Sequence, residues 1–258
     1  MEIHILTLFP KMFNGPLSES ILGRAVTSNL ISIDVHNIRD FSLDPHKVVD
    51  DVPFGGGPGM LLKPEPIFSA VDSILSHLRS SKFTDETDIP VILLSPQGRP
   101  FSQEIAAELA RHESLILICG RYEGIDSRVE EKLATDSLSI GDYILTGGEL
   151  PAMVVVDAIS RRIPGVLGDK TSGESDSFSS GLLQAPEYTR PSSFRGWDVP
   201  SILRSGNHQE IALWKRRMAI KQTWERRPDL IDESKLTNSD LEFLSNLRID
   251  SHDRDQEA

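Results

Sequence analysis

Residues 91–94 and 115–119 are short, unbroken apolar runs, 3–9 is mostly apolar, 31–35 alternates apolar with polar residues, and 137–140 is extended in character. Each length suits a strand, and the unbroken runs suit strands covered on both faces. Stripes of helical period lie between them: Leu17, Ile21 and Ala25; Ile67, Val71, Ile74 and Leu78; Ile105 and Leu109; Ile125, Val129 and Leu133. A further helix opens near Glu149, Leu150 and Pro151, a tolerated first-turn position for proline, and runs to Arg161 and Arg162 before Pro164 and Gly165 break it. Strands alternating with helices predict an α/β fold around a parallel sheet.

The glycines stand at the ends of the apolar runs. Gly120 closes 115–119 and Gly124 follows; Ile140, Gly141, Asp142 and Tyr143 turn the chain after the next strand, and Leu145, Gly147 and Gly148 lead into the helix. Ser95, Pro96, Gln97 and Gly98 directly follow 91–94. With parallel, adjacent strands these three loops converge at the carboxyl ends, where ligands of open α/β sheets collect. Glycine there lets backbone N–H and C=O groups come close to a ligand. The aperiodic stretch 39–60, with five residues Gly55–Gly56–Gly57–Pro58–Gly59, is too long for a simple connection. It lacks the lysine of a phosphate-binding P-loop, and no G-x-G-x-x-G occurs in the chain, which counts against dinucleotide chemistry. His46 has no second histidine or cysteine at ligand spacing, so no metal site is read.

The C-terminal third differs in character. Residues 169–181 include eight Gly, Ser or Thr in thirteen, the composition of a mobile linker. Ile211, Trp214, Met218 and Lys221 fall at helical spacing, and Ser239 with Glu242 forms a capping box for a last helix carrying Leu241, Leu244 and Leu247. A polar, frayed tail follows from Asp250. The whole chain is acidic, 258 residues with a net charge of −12, which argues against a uniformly basic nucleic-acid binder. Between Arg190 and Pro228, however, nine lysines and arginines face three acids, which points to RNA. The single cysteine, Cys119, lies inside an apolar strand and reads as a core thiol in a reducing compartment. No run reaches membrane-spanning length and the first strand starts without a basic leader, so a cytoplasmic location is expected.

Three segments, DDVPFGGGPGM (50–60), GRYEGID (120–126) and SIGDYILTGGELPAM (139–153), resemble the bacterial tRNA (guanine-N1)-methyltransferase family, TrmD, of the SPOUT superfamily. The resemblance runs from Met1 to the RRPDL segment at 226–230, with Phe54 where the family often has tyrosine. It implies a SPOUT-type parallel sheet with a deep trefoil knot over 1–168, a linker over 169–188, a small all-α tRNA-binding domain over 189–250 and a disordered 251–258 tail. It implies that S-adenosylmethionine (AdoMet) is held, chiefly by backbone groups, by Gly120, Ile140, Gly141, Asp142, Tyr143, Ile144, Leu145, Gly147, Gly148 and Pro151, with Pro96, Tyr122 and Glu123 close by, and that the 50–60 loop lies near AdoMet and tRNA.

The IPGVLG segment (163–168) and Asp176–Ser177–Phe178 match the block carrying the family's catalytic aspartate. Guanine N1 carries a proton at neutral pH, so Asp176 is expected to remove it, and Arg161, by family position, to stabilise the charge growing on O6. Only the resemblance ranks Asp176 above Asp169. The implied target is guanosine 37 in the tRNA anticodon stem-loop, where an unpaired base exposes N1. The resemblance also implies a homodimer sharing each site, with AdoMet on one subunit and the aspartate from its partner; it allows Mg²⁺ and gives no role to DNA or a membrane. Rival readings are a SPOUT enzyme acting on another RNA position, a non-catalytic RNA-binding protein, and a small-molecule α/β enzyme with an incidental basic face.

Overall fold

A computed structural model describes residues 1–82, 89–168 and 176–256. Asp169 and most of the 80–88 connection lie outside them. The chain divides into two compact units, Met1–Lys170 and Thr171–Ala258.

In the first unit five parallel strands, β1 (Glu2–Thr7), β2 (Ser32–Asn37), β5 (Val91–Pro100), β6 (Ser114–Cys119) and β7 (Asp136–Ser139), form one sheet in the order β2-β1-β6-β5-β7. A small antiparallel pair, β3 (Asp50–Asp51) and β4 (Leu61–Leu62), lies in the glycine-rich stretch. The pleat sends alternate residues to opposite faces. Ile3, Ile5, Ile92, Leu94, Leu115 and Leu117 pack against α1 (Ser20–Thr27), α3 (Gln103–Leu109) and α5 (Glu149–Ser160). Leu6, Val91, Leu93, Ile116 and Ile118 pack against α2 (Pro64–Lys82) and α4 (Ser127–Lys132). The middle strand β6 is accordingly buried along its whole length, as an unbroken apolar run requires. Cys119 is fully buried there, and burial pushes its thiol well above the ordinary range, which makes it inert packing.

Several boundaries differ from the periodic reading. Leu17 precedes α1. Ile125 precedes α4 and bridges Leu62 instead, because Asp126 caps the helix by accepting from the Arg128 N–H. The 95–98 stretch does not leave the sheet: β5 runs on to Pro100, with a bulge between Leu94 and Arg99 that lets both face Leu138 of β7. Gly98 is required at this bulge, since a Cβ would meet the Ser137 backbone at 2.4–2.6 Å. Helix α5 ends at Ser160, leaving Arg161 as its C-cap.

His4 and His36, on adjacent strands, stack with ring centroids 5.2 Å apart and share a 3.0 Å contact between Nδ1 and Nε2. One ring must donate and the other accept, so a second proton breaks the bond. Burial, first, and for His4 then the neighbouring His36 and His77, hold these pKa values below the ordinary histidine value, against the opposing pull of Asp34 and, at His4, Glu2. The unfolded chain therefore binds protons near pH ~6.5 that the native chain refuses. Stability is full above that pH and is lost as pH falls below it. Thermal melts between pH 7 and 5.5 should decline more steeply for the wild type than for His36→Gln; parallel slopes would remove the pair from this account.

The second unit holds a hairpin of β8 (Ser193–Phe194) and β9 (Trp197–Asp198), then α6 (His208–Arg226) and α7 (Asn238–Gln256). Leu182, Ile220 and Leu244 form its core, with Ala219 and Trp224 packed on it. Trp214 and Met218 are half-buried outside that cluster, so the buried line of α6 runs through Ile220 and Thr223 rather than the expected stripe. The capping box is Thr237 with Asp240, two residues before the expected pair: the Asp240 N–H donates to Thr237 Oγ1 at 3.2 Å and the Thr237 N–H to Asp240 Oδ2 at 3.1 Å. Asp240 prevails because it also pairs with Arg216. Helix α7 continues to Gln256, past the point where a frayed tail is expected.

Candidate functional site

At the carboxyl ends of β6, β7 and the apolar part of β5, the bulged segment 94–97 of β5 and the loops 120–126 and 140–148 enclose a cleft of about 600 Å³. Segment 120–126 is held from two sides. On one side the Leu62 N–H donates to the Gly124 carbonyl at 3.0 Å and the Glu123 N–H to the Met60 carbonyl at 3.1 Å. On the other, the Gly148 N–H donates to the Gly120 carbonyl at 2.9 Å, and Arg121 bridges Gly147.

Glycine is needed where these segments touch. A Cβ on Gly148, the N-cap of α5, would lie 2.7 Å from the Cα of Cys119, and one on Gly147 would collide with the Arg121 side chain. In the 55–59 loop only Gly59 is so constrained, by the Glu123 side chain. Tyr122 occupies the left-handed region at φ 61°. For a bulky aromatic this is a strained conformation, held by the flanking hydrogen bonds, and such strain concentrates at functional loops.

Charges fix the same loops. The Arg121 Nε donates to Glu149 Oε2 at 2.9 Å, and its Nη1 to the Thr146 carbonyl at 3.1 Å. The guanidinium lies 4.5 Å from the centre of the Phe9 ring. Glu149 is 1% exposed, receives the Thr7 hydroxyl on Oε1 at 2.7 Å, and sits in the first turn of α5, where the helix dipole favours an anion.

Of the residues matched to AdoMet contacts, Pro96, Gly120, Tyr122, Glu123, Ile140, Gly141, Tyr143, Ile144, Leu145, Gly147, Gly148 and Pro151 all line this cleft. Asp142 does not. The Tyr143 N–H turns back onto the Gly141 carbonyl at 2.9 Å, and Asp142 is left exposed at the tip of that turn. Arg161 is half-buried at the C-cap of α5 in the first unit. Asp176 belongs to the second, where its carbonyl accepts the Ser179 N–H at 3.2 Å. Within the expected 169–188 linker, Leu182 is buried in the core of the second unit and the Leu183 N–H donates to Thr223 Oγ1 at 2.9 Å. No residue of the 50–60 loop lines the cleft; the loop meets the wall through the Met60 carbonyl, which accepts the Glu123 N–H, and Leu61, just after it, lines the cleft.

Thr7, Arg121 and Glu149 were not marked by periodicity or spacing. The available signal was one arginine and one glutamate, each inside a glycine-bearing turn, where unpaired charge has no structural reason to stand. Among the described residues no group of three or more His, Cys, Asp or Glu is placed to hold a metal ion, and no helix is long and apolar enough to cross a membrane.

The family model described as tRNA (Guanine-1)-methyltransferase TrmD matches residues 1–233. A protein of Dehalococcoides mccartyi named tRNA (guanine-N(1)-)-methyltransferase is 54% identical over 255 residues, covering 99% of this chain and 100% of that one. Proteins of the same name from Desulforamulus reducens and Moorella thermoacetica are 54% and 50% identical, each over 96% of this chain and 95% and 96% of their own lengths. With its glycine-lined cleft built from the segments that carry the likeness, the chain belongs to the tRNA (guanine-1)-methyltransferase TrmD family.

Proposed function

We propose that this chain transfers the methyl group of AdoMet to N1 of an unpaired guanine in tRNA, at position 37 beside the anticodon. The observation that carries the reading is the cleft at the carboxyl ends of β6, β7 and the apolar part of β5. Its size suits a ligand of this class, five glycines stand in its walls, and Gly147 and Gly148, where a Cβ would collide, let those walls come together. Bound AdoMet supplies an electrophilic methyl group. Backbone groups of 120–124 and 140–148 hold it, and Glu123 offers a carboxylate for its cationic groups. Asp176 takes the N1 proton of the target guanine, and Arg161 stabilises the negative charge that then grows on O6. An arginine donor at that edge also selects guanine over adenine, which presents an amine there. The Mg²⁺ that the family likeness allows finds no cluster of three or more His, Cys, Asp or Glu among the described residues.

Two further features belong to this reading. A trefoil knot is supported by the family likeness that runs through 120–126 and 139–153. A homodimer is supported by exposed apolar side chains along 143–154: Tyr143, Ile144, Leu150 and Val154. Labelled AdoMet offered with two tRNA transcripts, differing only by guanine or adenine at position 37, tests the reaction. Label should enter the guanine transcript alone, at N1. Label in both, or in neither, ends the position-37 reading.

A further inference from the structure

The basic segment of the second unit is not uniformly available to a ligand. On and around α6, Lys215 pairs with Glu187 at 2.8 Å, Arg216 with Asp240 at 3.1 Å and Arg227 with Asp229 at 2.6 Å. Those cations are partly neutralised from within. The three arginines ahead of the helix, Arg190, Arg195 and Arg204, are exposed and meet no carboxylate among the described residues. Exposed positive charge that meets no carboxylate among the described residues therefore lies on the chain before α6 as well as at Arg217 and Arg226 of the helix itself.

That chain carries the hairpin of β8 and β9, and its turn places two aromatic rings in solvent. Arg195 at φ 54° and Gly196 at φ 83° form the two-residue turn, with both central residues in the left-handed region as a tight hairpin requires. Phe194 and Trp197 are paired directly across it. They are 55% and 70% exposed, with ring centroids 6.5 Å apart, and the Arg195 guanidinium lies 5.2 Å from the centre of the Phe194 ring. The ladder is short, extended only by the Val199 N–H donating to the Ser192 carbonyl at 2.9 Å. Two large rings at the tip of so small a hairpin add little to any core. Phe194 is covered in part by Arg195, and Trp197 is the more open of the two.

We propose that this hairpin is a nucleotide-binding tip: Trp197 stacks on an unpaired base of the tRNA, while Arg195 engages the adjoining phosphate. A flat exposed indole beside an uncompensated guanidinium matches the way proteins hold single-stranded nucleotides, by stacking that tolerates any base together with charge on the backbone. Arg190, Arg195 and Arg204 outnumber the one acid of this stretch, Asp198, which favours a polyanion, and the open indole of Trp197 beside them favours RNA over an acidic protein. The inference rests on the tRNA reading above and adds a second point of contact, outside the cleft.

The test uses the full chain and an unmodified tRNA transcript, titrated at two salt concentrations. Trp197→Ala should weaken tRNA binding roughly 5- to 150-fold, the loss expected for one stacked base, with AdoMet affinity unchanged. Trp197→Phe, which keeps an aromatic face, should stay within about threefold of wild type. Arg195→Ala should lower the slope of log affinity against log salt by about one. In the wild-type chain, hydroxyl-radical oxidation of Trp197 should fall when tRNA is added, a readout that needs no variant to fold. Wild-type affinity in Trp197→Ala, or unprotected Trp197, overturns the hairpin while leaving the methyltransferase reading in place. Equal weakening by Ala and Phe overturns stacking. No tRNA binding by the wild type at either salt overturns both readings together.

Discussion

The Asp176→Asn chain is expected to methylate tRNA roughly 10²–10⁴-fold more slowly than wild type, the usual contribution of a positioned general base. Asparagine keeps the shape and accepts hydrogen bonds but cannot take the N1 proton, so the loss should fall on the methylation rate. Binding of AdoMet should be unaffected, because the cleft is built entirely from the first unit. The Ser179 N–H donates to the main-chain carbonyl of residue 176 at 3.2 Å, a bond that the substitution leaves in place. The comparison that gives this weight is Asp169→Asn, seven positions earlier in the same polar segment, which should retain its rate. Single-turnover methylation with saturating AdoMet and tRNA measures both. Wild-type rate in Asp176→Asn would remove this residue from the chemistry, and loss only in Asp169→Asn would transfer the role there.

Most of the first unit was legible because its strands are long enough, and apolar enough, to carry their own period. The run at 115–119 reads as a strand covered on both faces, and it is buried along its whole length. The convergence of the loops after β6 and β7 followed from parallel, adjacent strands, while the third expected loop, 95–98, stays in β5 and reaches the cleft from its bulge. What periodicity misplaced was decided by single hydrogen bonds or by pairing between distant segments. Ile125 fits the stripe of Val129 and Leu133, yet Asp126 caps first and Ile125 goes to Leu62 instead. Ser239 and Glu242 fit a capping box, yet Thr237 and Asp240 make it because Arg216, on another helix, holds the aspartate. The bulge in β5 was invisible since it depends on how β7 approaches. The cleft residues were placed by family likeness, and only Asp142 falls away from the wall. The Thr7–Glu149–Arg121 chain joins residues 142 and 28 positions apart, a separation that no local pattern encodes.

That chain supports the second large effect. Glu149→Ala should destabilise the first unit by about 3–5 kcal/mol, the cost of removing one partner from a buried ion pair. The carboxylate is 1% exposed, and without it the Arg121 guanidinium, 15% exposed, keeps the Thr146 carbonyl but no negative charge. Thr7 is fully buried and loses the acceptor for its hydroxyl, a further unsatisfied group. At roughly 2–4 °C per kcal/mol for a domain of this size, the melting temperature should fall by about 6–20 °C. The same bonds join the 120–124 and 146–149 walls of the cleft, so AdoMet affinity measured calorimetrically below the melt should also drop. Glu149→Gln separates packing from charge: it fills the same space and still accepts from Arg121, so it should recover part of the stability. A melting temperature within about 1 °C of wild type for Glu149→Ala would show that water reaches this pair and that the two walls are held by their backbone bonds alone.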